Sequence, residues 1–301
     1  MKPGLLVRIT RAPFLTAVIV PVIIGTAVAL RDIGSVNVLY FLLAMLGASF
    51  IHLGVNVSND YFDHRSGNDA ANKTPTPFSG GSRIIQDGIM SPEKVLSISA
   101  VFLAAGALVG AYFYTVFGIP ILLIGLAGAV LGVFYTAPPF KLGYRGLGEL
   151  STGIGFGVIV VLGSYYVQTA TVTAGALLAS VPIAVLVALI LFINEFPDYN
   201  ADKAVNKRTL VVLLGKKRAV KLYQAGVFFV YVYIAAMVAL SVFPVYVLIT
   251  FITLPLAVKS SKIAGKHYNN IGKLLPANAG TIKTHLALGL LFAAGYVISS
   301  L

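Results

Sequence analysis

Two short stretches hold most of the residues that could do chemistry. NVSNDYFDHRSGND, residues 56–69, carries three Asp and three Asn, and NEFPDYNADKAVNKRTL, residues 194–210, carries two more Asp in a spaced pair. With His52 just before the first, Asn56, Asn59, Asp60 and Asp63 fall mainly at steps of three or four, so on a helix they form one polar stripe. In the second, Asn194, Asp198 and Asp202 fall at steps of four and share a face. Carboxylates with amide oxygens beside them suit a hard divalent cation. Mg²⁺ keeps several waters and binds through a few carboxylates together with the phosphates of a substrate. Without a cation such carboxylates repel one another.

Each stretch follows an apolar run, and the elements that carry them are read as membrane helices. The chain has 301 residues, 58% hydrophobic and 11% charged, with mean hydropathy +0.90. A soluble domain carries about 25% charged residues. Apolar runs near 12–30, 38–58, 95–114, 116–135, 148–167, 174–196, 219–239, 242–258 and 284–301 are each about long enough to span. The expectation is an all-α polytopic membrane protein: one domain, 1–301, of nine helices around a central cavity open to the cytoplasmic side. The first run reads as a span and not as a signal peptide, because it continues to Leu30 with no clear cleavage site. With no cysteine, disulfides and thiolate metal sites are excluded.

The net charge of +12 follows topology and gives no sign of nucleic acid. Every Lys and Arg except Arg31 falls in the N-terminus, in the longer connections at 59–94, 136–147, 197–218 and 259–283, or at a helix end adjoining them. That split places the N-terminus and those loops in the cytoplasm. All acids except Asp32 lie on the same side, although orientation does not require it. The first acidic helix is expected to end at Gly67, leaving Asp69 on the loop beyond. Pro197 removes a backbone donor, so a kink is expected there, with the freed groups facing a cavity.

Basic residues surround both acidic stretches: Arg65, Lys73 and Arg83 after the first, Lys203, Lys207 and Arg208 after the second, and Lys141 and Arg145 in YTAPPFKLGYRGLGE between them. Acids with a metal, ringed by cations, make a site for phosphate or diphosphate. The glycine pair in FSGGSRIIQDG, 78–88, would let backbone N–H groups approach an anion.

These residues resemble the UbiA superfamily of intramembrane prenyltransferases. The ND-x-x-D motif matches Asn59, Asp60 and Asp63, and D-x-x-x-D matches Asp198 and Asp202. Within it the chain most resembles the 1,4-dihydroxy-2-naphthoate polyprenyltransferases of menaquinone synthesis. That likeness rests on both acidic stretches, YTAPPFKLGYRGLGE, GSYYVQT at 163–169, KRTLVVLLG at 207–215, and R-x-P-F-L-T at Arg11 to Thr16. Gly67 stands where many members carry a third Asp, with Asp69 nearby, and Ala137-Pro138-Pro139 stands where that branch often has Gly-Gly-Pro. The resemblance implies Mg²⁺ as cofactor, two ions bridging an isoprenyl diphosphate, and an aromatic acceptor. Asn59, Asp60, Asp63, Asp198 and Asp202 are then the catalytic set, with Asn59, Asp63, Asp69, Asp198 and Asp202 as metal ligands. Arg11, Asn56, Tyr135, Lys141, Arg145, Asn194 and Arg208 are the candidate substrate contacts. Tyr135, Tyr144, Phe156, Tyr165 and Tyr166 are candidate faces for an allylic cation. Other acceptors (4-hydroxybenzoate, a glyceryl phosphate lipid, a tetrapyrrole) remain open, as does cation transport. Transport predicts ionisable residues near the midplane, whereas both acidic sets sit at cytoplasmic helix ends.

Overall fold

The computed structural model describes residues 3–301; Lys2, counted among the N-terminal cations, lies outside them. A short helix α1 (Pro3–Thr10) precedes the first long one, α2 (Thr16–Ile33). Then come α3 (Val38–Arg65), the single turn α4 (Asn68–Ala71), α5 (Pro92–Phe117) and α6 (Ile119–Val133). The helix α7 (Gly148–Thr152) runs through a π-helical segment, Gly153–Ile159, into α8 (Val160–Thr169). The rest are α9 (Ala174–Ala204), α10 (Leu210–Leu214), α11 (Lys216–Ala239), a 3₁₀ stretch Val245–Thr253 leading into α12 (Leu254–His267), and α13 (Ile271–Ile298). Among the described residues the only β pairing is an isolated bridge between Thr76 and Ser79.

Eight of these helical segments are long and apolar enough to cross a membrane. The segment expected at 116–135 is helical as α6, but its 15 residues rise only about 22 Å, short of a hydrocarbon core of about 30 Å. Helix starts follow local chemistry. Asn37, Ser91, Thr173 and Asn270 each accept a backbone N–H of the first turn of α3, α5, α9 and α13, satisfying donors that a helix end leaves free. The long connections are shorter than expected. Helix α9 continues past Pro197 to Ala204, and the region 259–283 is almost all helix, so the last span begins at Ile271. Lys259, Lys262, Lys266, Lys273 and Lys283 lower the hydropathy of that region without breaking its helices, because Lys is a good helix former.

Helices α2 and α9 form the inside of the bundle: 61% of the most apolar window of each is buried, against 17% for α5 and 22% for α3. Their apolar core joins α8, α11 and α13 through Val20, Ile24, Tyr165, Ile183, Phe196, Tyr223 and Phe292. The outer helices turn large apolar side chains outward, Val101 and Leu108 among them, as a lipid-facing surface requires. In the π segment a Cβ on Gly157 would meet Ala184 Cα at 2.3 Å. The glycine thus lets this span lie directly against α9.

The two prolines within α9 each free a carbonyl four residues back. The Leu178 carbonyl takes the Tyr233 hydroxyl at 3.2 Å, and the Ile193 carbonyl takes Asn278 Nδ2 at 3.0 Å. Both prolines are therefore paid for by a neighbouring helix, which keeps the freed group out of lipid.

Candidate active site

The polar ends of α3 and α9 face one another across a cavity. Asn56, Asn59, Asp63, Asp69, Tyr135, Asn194, Asp198, Asp202 and Arg11 all line it. Gly67 adopts φ 80° and turns the chain after α3, but Asp69 lies in α4, not on an open loop. That turn is the bridge between the walls. Asn68 Nδ2 donates to Asp202 Oδ1 at 2.8 Å, and Asn72 Nδ2 donates to Asp198 Oδ1 at 2.7 Å.

The loop after α4 ties in as well. The Gly80 N–H donates to Asp198 Oδ2 at 3.1 Å and the Ser82 N–H to Asp60 Oδ1 at 3.2 Å. Gly80 and Gly81 sit at φ 81° and 73°, and a Cβ on them would meet Asn72 Nδ2 at 2.6 Å and Asp69 Oδ2 at 2.7 Å. Only glycine meets both demands. Gly80 and Ser82 thus use their backbone N–H groups to hold carboxylates of the protein itself.

The first wall is neutralised by cations. Arg11 donates to Asp60 Oδ1 at 2.6 Å, and Asp60 is turned away from the cavity lining. Lys207 Nζ lies 3.3 Å from Asp63 Oδ2, 3.4 Å from Asn68 Oδ1 and 3.9 Å from Asp202 Oδ1. Tyr144 donates to Asp63 Oδ1 at 2.7 Å, and Thr136 donates to Asn59 Oδ1 at 2.7 Å. Burial works against the Lys207 ammonium, but Asp63 and Asp202 outweigh it and hold its pKa well above the ordinary value. Asp69, at 2% exposure, shows the opposite balance. Burial first, then the Asp63 and Asp60 charges, push its carboxyl up to about 7.

Lys141, Arg145 and Arg208 lie outside the cavity lining. The Lys141 ammonium lies over the Tyr144 ring, the Arg145 guanidinium holds the Pro139 carbonyl, and the exposed Arg208 is fixed by its backbone N–H to the Tyr144 carbonyl. The cation at the centre is Lys207, one residue before Arg208. Of the aromatic candidates, Tyr135 and Phe156 line the cavity, and Tyr144 reaches it through Asp63. Tyr165 lies away from it, bonded to Asp32 near the other end of the bundle, and Tyr166 packs with Phe117.

His52, expected on the polar stripe, is buried there with its Nε2 2.9 Å from Asn56 Nδ2, while its Nδ1 is buried without a partner. Other site features escaped the sequence reading. Asn278 of α13 orients Asn194 through a 2.7 Å bond. Glu149 and Glu195 are buried beside the cavity. A second, apolar cavity lies between α3, α5, α6 and α8, with Gly47, Gly106, Gly125 and Gly128 among its walls. Phe156 lines both cavities; the π segment that lets its span approach α9 also sets this ring at their junction.

Among the described residues no three His, Asp or Glu side chains close around a single ion. The donors are all oxygens, spread over two walls, and Lys207 lies between two of them. Such a set does not make a closed protein cage, but it fits Mg²⁺ ions that complete their coordination with phosphate and water.

The description "UbiA prenyltransferase family" matches residues 18–297. The chain belongs to the UbiA prenyltransferase family. It is an integral membrane enzyme, a prenyltransferase. It is 31% identical to the 1,4-dihydroxy-2-naphthoate octaprenyltransferase of Bacillus subtilis, covering 97% of this chain and 92% of that one. It is also 31% identical to the 2-carboxy-1,4-naphthoquinone phytyltransferase of Synechocystis, covering 95% and 91%. A UbiA homolog of Archaeoglobus fulgidus bound to GPP and Mg²⁺ shares the fold, with TM-score 0.63, 15% identity and coverage of 96% and 99%. So does the apo UbiA homolog of Aeropyrum pernix, with TM-score 0.68, 17% identity and coverage of 94% and 98%.

Proposed function

We propose that the protein transfers a prenyl group from an isoprenyl diphosphate to an aromatic acceptor of the 1,4-dihydroxy-2-naphthoate type, with Mg²⁺ as cofactor. The observation that carries this reading is the pair of cross-wall bonds, Asn68 to Asp202 and Asn72 to Asp198. They bring the two acidic stretches to one cavity, next to an apolar one. The naphthoate relatives, alike over nearly the whole chain, favour that class of acceptor.

The residues divide the work by chemistry. Asn59, Asp63, Asp69, Asp198 and Asp202 would hold two Mg²⁺ ions. Bound there, the ions neutralise the negative charge that develops on the departing diphosphate. Lys207 is placed to contact the same phosphate oxygens once they enter between the walls. The prenyl tail runs into the apolar cavity, whose glycine walls leave it room. Phe156 and Tyr135 present ring faces to the allylic cation, and the surrounding bundle keeps water from it. The excess of basic residues at this end of the helices favours a cytoplasmic site and N-terminus.

Purified protein incubated with Mg²⁺, radiolabelled long-chain prenyl diphosphate and a panel of aromatic acceptors is expected to release diphosphate and a prenylated naphthoate product. Asp63→Ala and Asp198→Ala are each expected to abolish turnover with the fold intact. Wild-type rates in both variants would refute the site.

A further inference from the structure

Glu149 and Glu195 form a buried carboxyl pair to which the chemistry above gives no task. Glu195 follows Asn194 on α9, three residues before Asp198, and Glu149 is the second residue of α7. They are 5% and 6% exposed. Their carboxyls interact with each other, and all four of their oxygens are buried without a hydrogen-bond partner. Two carboxylates side by side repel, and a proton on one removes that repulsion while leaving the other free to act as a base. Two bare carboxylates at this depth would each carry a desolvation cost of several kcal/mol. Glu195 lines the main cavity with Tyr135 and Lys207. The charged and titratable groups that face it are Glu149, Asp202, Lys207 and Tyr135.

Prenylation of an aromatic ring needs a proton acceptor. A phenolic hydroxyl has a pKa of about 10, and the ring becomes a far better nucleophile as that proton leaves. The other cavity residues are poorly placed to take it. Asp63, Asp198 and Asp202 already accept from Lys207, Tyr144, Asn72, Asn68 and the Gly80 N–H, and they belong to the diphosphate end. His52 is tied at Nε2 to the Asn56 amide, and its ring packs edge-on against Phe156, at the junction with the apolar cavity.

We propose that Glu195 is the general base of the transfer, taking the hydroxyl proton of the aromatic acceptor, with Glu149 as its positioning partner. The proposal rests on the prenyl-transfer reading above. As the ring carbon bonds to the allylic carbon, the carbon–oxygen bond of the donor breaks and the diphosphate leaves with its electron pair. The hydroxyl oxygen becomes a ketone and its proton passes to the Glu195 carboxylate. Loss of the displaced ring substituent, as a proton or as carbon dioxide, returns an electron pair to the ring and restores its aromaticity.

The test compares wild type, Glu195→Gln and Glu149→Gln in full-length protein, with acceptors of graded hydroxyl acidity. With an acceptor whose hydroxyl is un-ionised at the assay pH, Glu195→Gln is expected to lose about 10²-fold in kcat. An acceptor already ionised at that pH restores the rate to within a few-fold. The rising limb of the wild-type pH profile disappears in Glu195→Gln and shifts in Glu149→Gln. Binding of Mg²⁺ with a prenyl thiodiphosphate, followed by calorimetry, is unchanged in both. An equal loss with every acceptor, or lost binding of cation and donor, would overturn the assignment and make the pair structural or metal-binding. A wild-type enzyme that releases diphosphate but prenylates no aromatic acceptor would instead overturn the functional reading, and the base with it.

Discussion

The two acidic walls are held by different means. On α3, Asp60 and Asp63 face full positive charges, Arg11 at 2.6 Å and Lys207 at 3.3 Å. On α9, Asp198 and Asp202 are held chiefly by neutral donors, the amides of Asn72 and Asn68 and the Gly80 N–H, with Lys207 no closer than 3.9 Å. Neutral donors fix a carboxylate in place without cancelling its charge. The first wall is therefore largely neutralised before any ligand arrives, and the second has fewer positive charges set against it.

The sharpest way to break this contrast is to remove one carboxylate at a time. Asp63→Ala and Asp198→Ala are each expected to lower kcat/KM by about 10³-fold or more, since both act on the charge that develops at the leaving group. The walls separate in a second assay: without donor, Asp198→Asn weakens Mg²⁺ binding, whereas Asp60→Asn leaves it nearly unchanged because Asp60 is spent on Arg11. Equal effects would erase the distinction.

Lys207→Met comes next. It leaves Asp63 and Asp202 facing each other without the ammonium between them, at a cost of about 3–5 kcal/mol of stability for a broken buried pair. Thermal unfolding in detergent should show that loss, and Mg²⁺ should restore part of it by taking the place of the ammonium. Asn72→Ala and Asn68→Ala are milder. Each leaves a second-wall carboxylate short of one donor, a loss of about 1–3 kcal/mol, read as weaker binding of cation and donor with little change in kcat.

Much of this arrangement was legible in the sequence. Asp198 and Asp202, and the stripe through Asn56, Asn59 and Asp63, share faces because a helix repeats every 3.6 residues, and the apolar runs around them could only be buried in lipid or in one another. The rest depends on contacts between distant segments. Nothing local marks Asn68 and Asn72 as the link between the walls, or pairs Glu149 with Glu195 across 46 positions. Lys207 and Arg208 are neighbours in an irregular loop, where no periodicity tells which points inward. Asn278 stands in a region whose lysines hid a helix. Its bond to the Ile193 carbonyl can be inferred only once Pro197 is known to lie inside an unbroken α9.

Two smaller effects sharpen the picture. Asn278→Leu leaves the Ile193 carbonyl unpaired and frees Asn194, and it should lower stability by about 1–2 kcal/mol with a modest rise in KM. Asp69 sets a pH dependence. Its carboxyl lies near 7 in the folded protein against 3.8 for the free group, so the native state holds the proton more tightly than the unfolded chain. In the absence of divalent cation, stability should fall as pH rises from about 4 to about 7 and level off above. Asp69→Asn should flatten that fall in a series of unfolding curves.

The most direct measurement is crystallographic: the protein with Mn²⁺ in place of Mg²⁺ and a prenyl thiodiphosphate, with anomalous scattering used to find the metal. Manganese peaks bridging Asp63 on α3 and Asp198 or Asp202 on α9, with the diphosphate between them and the tail passing Phe156, are the expected result. Ions bound outside the cavity, or on one wall with the diphosphate elsewhere, would contradict it.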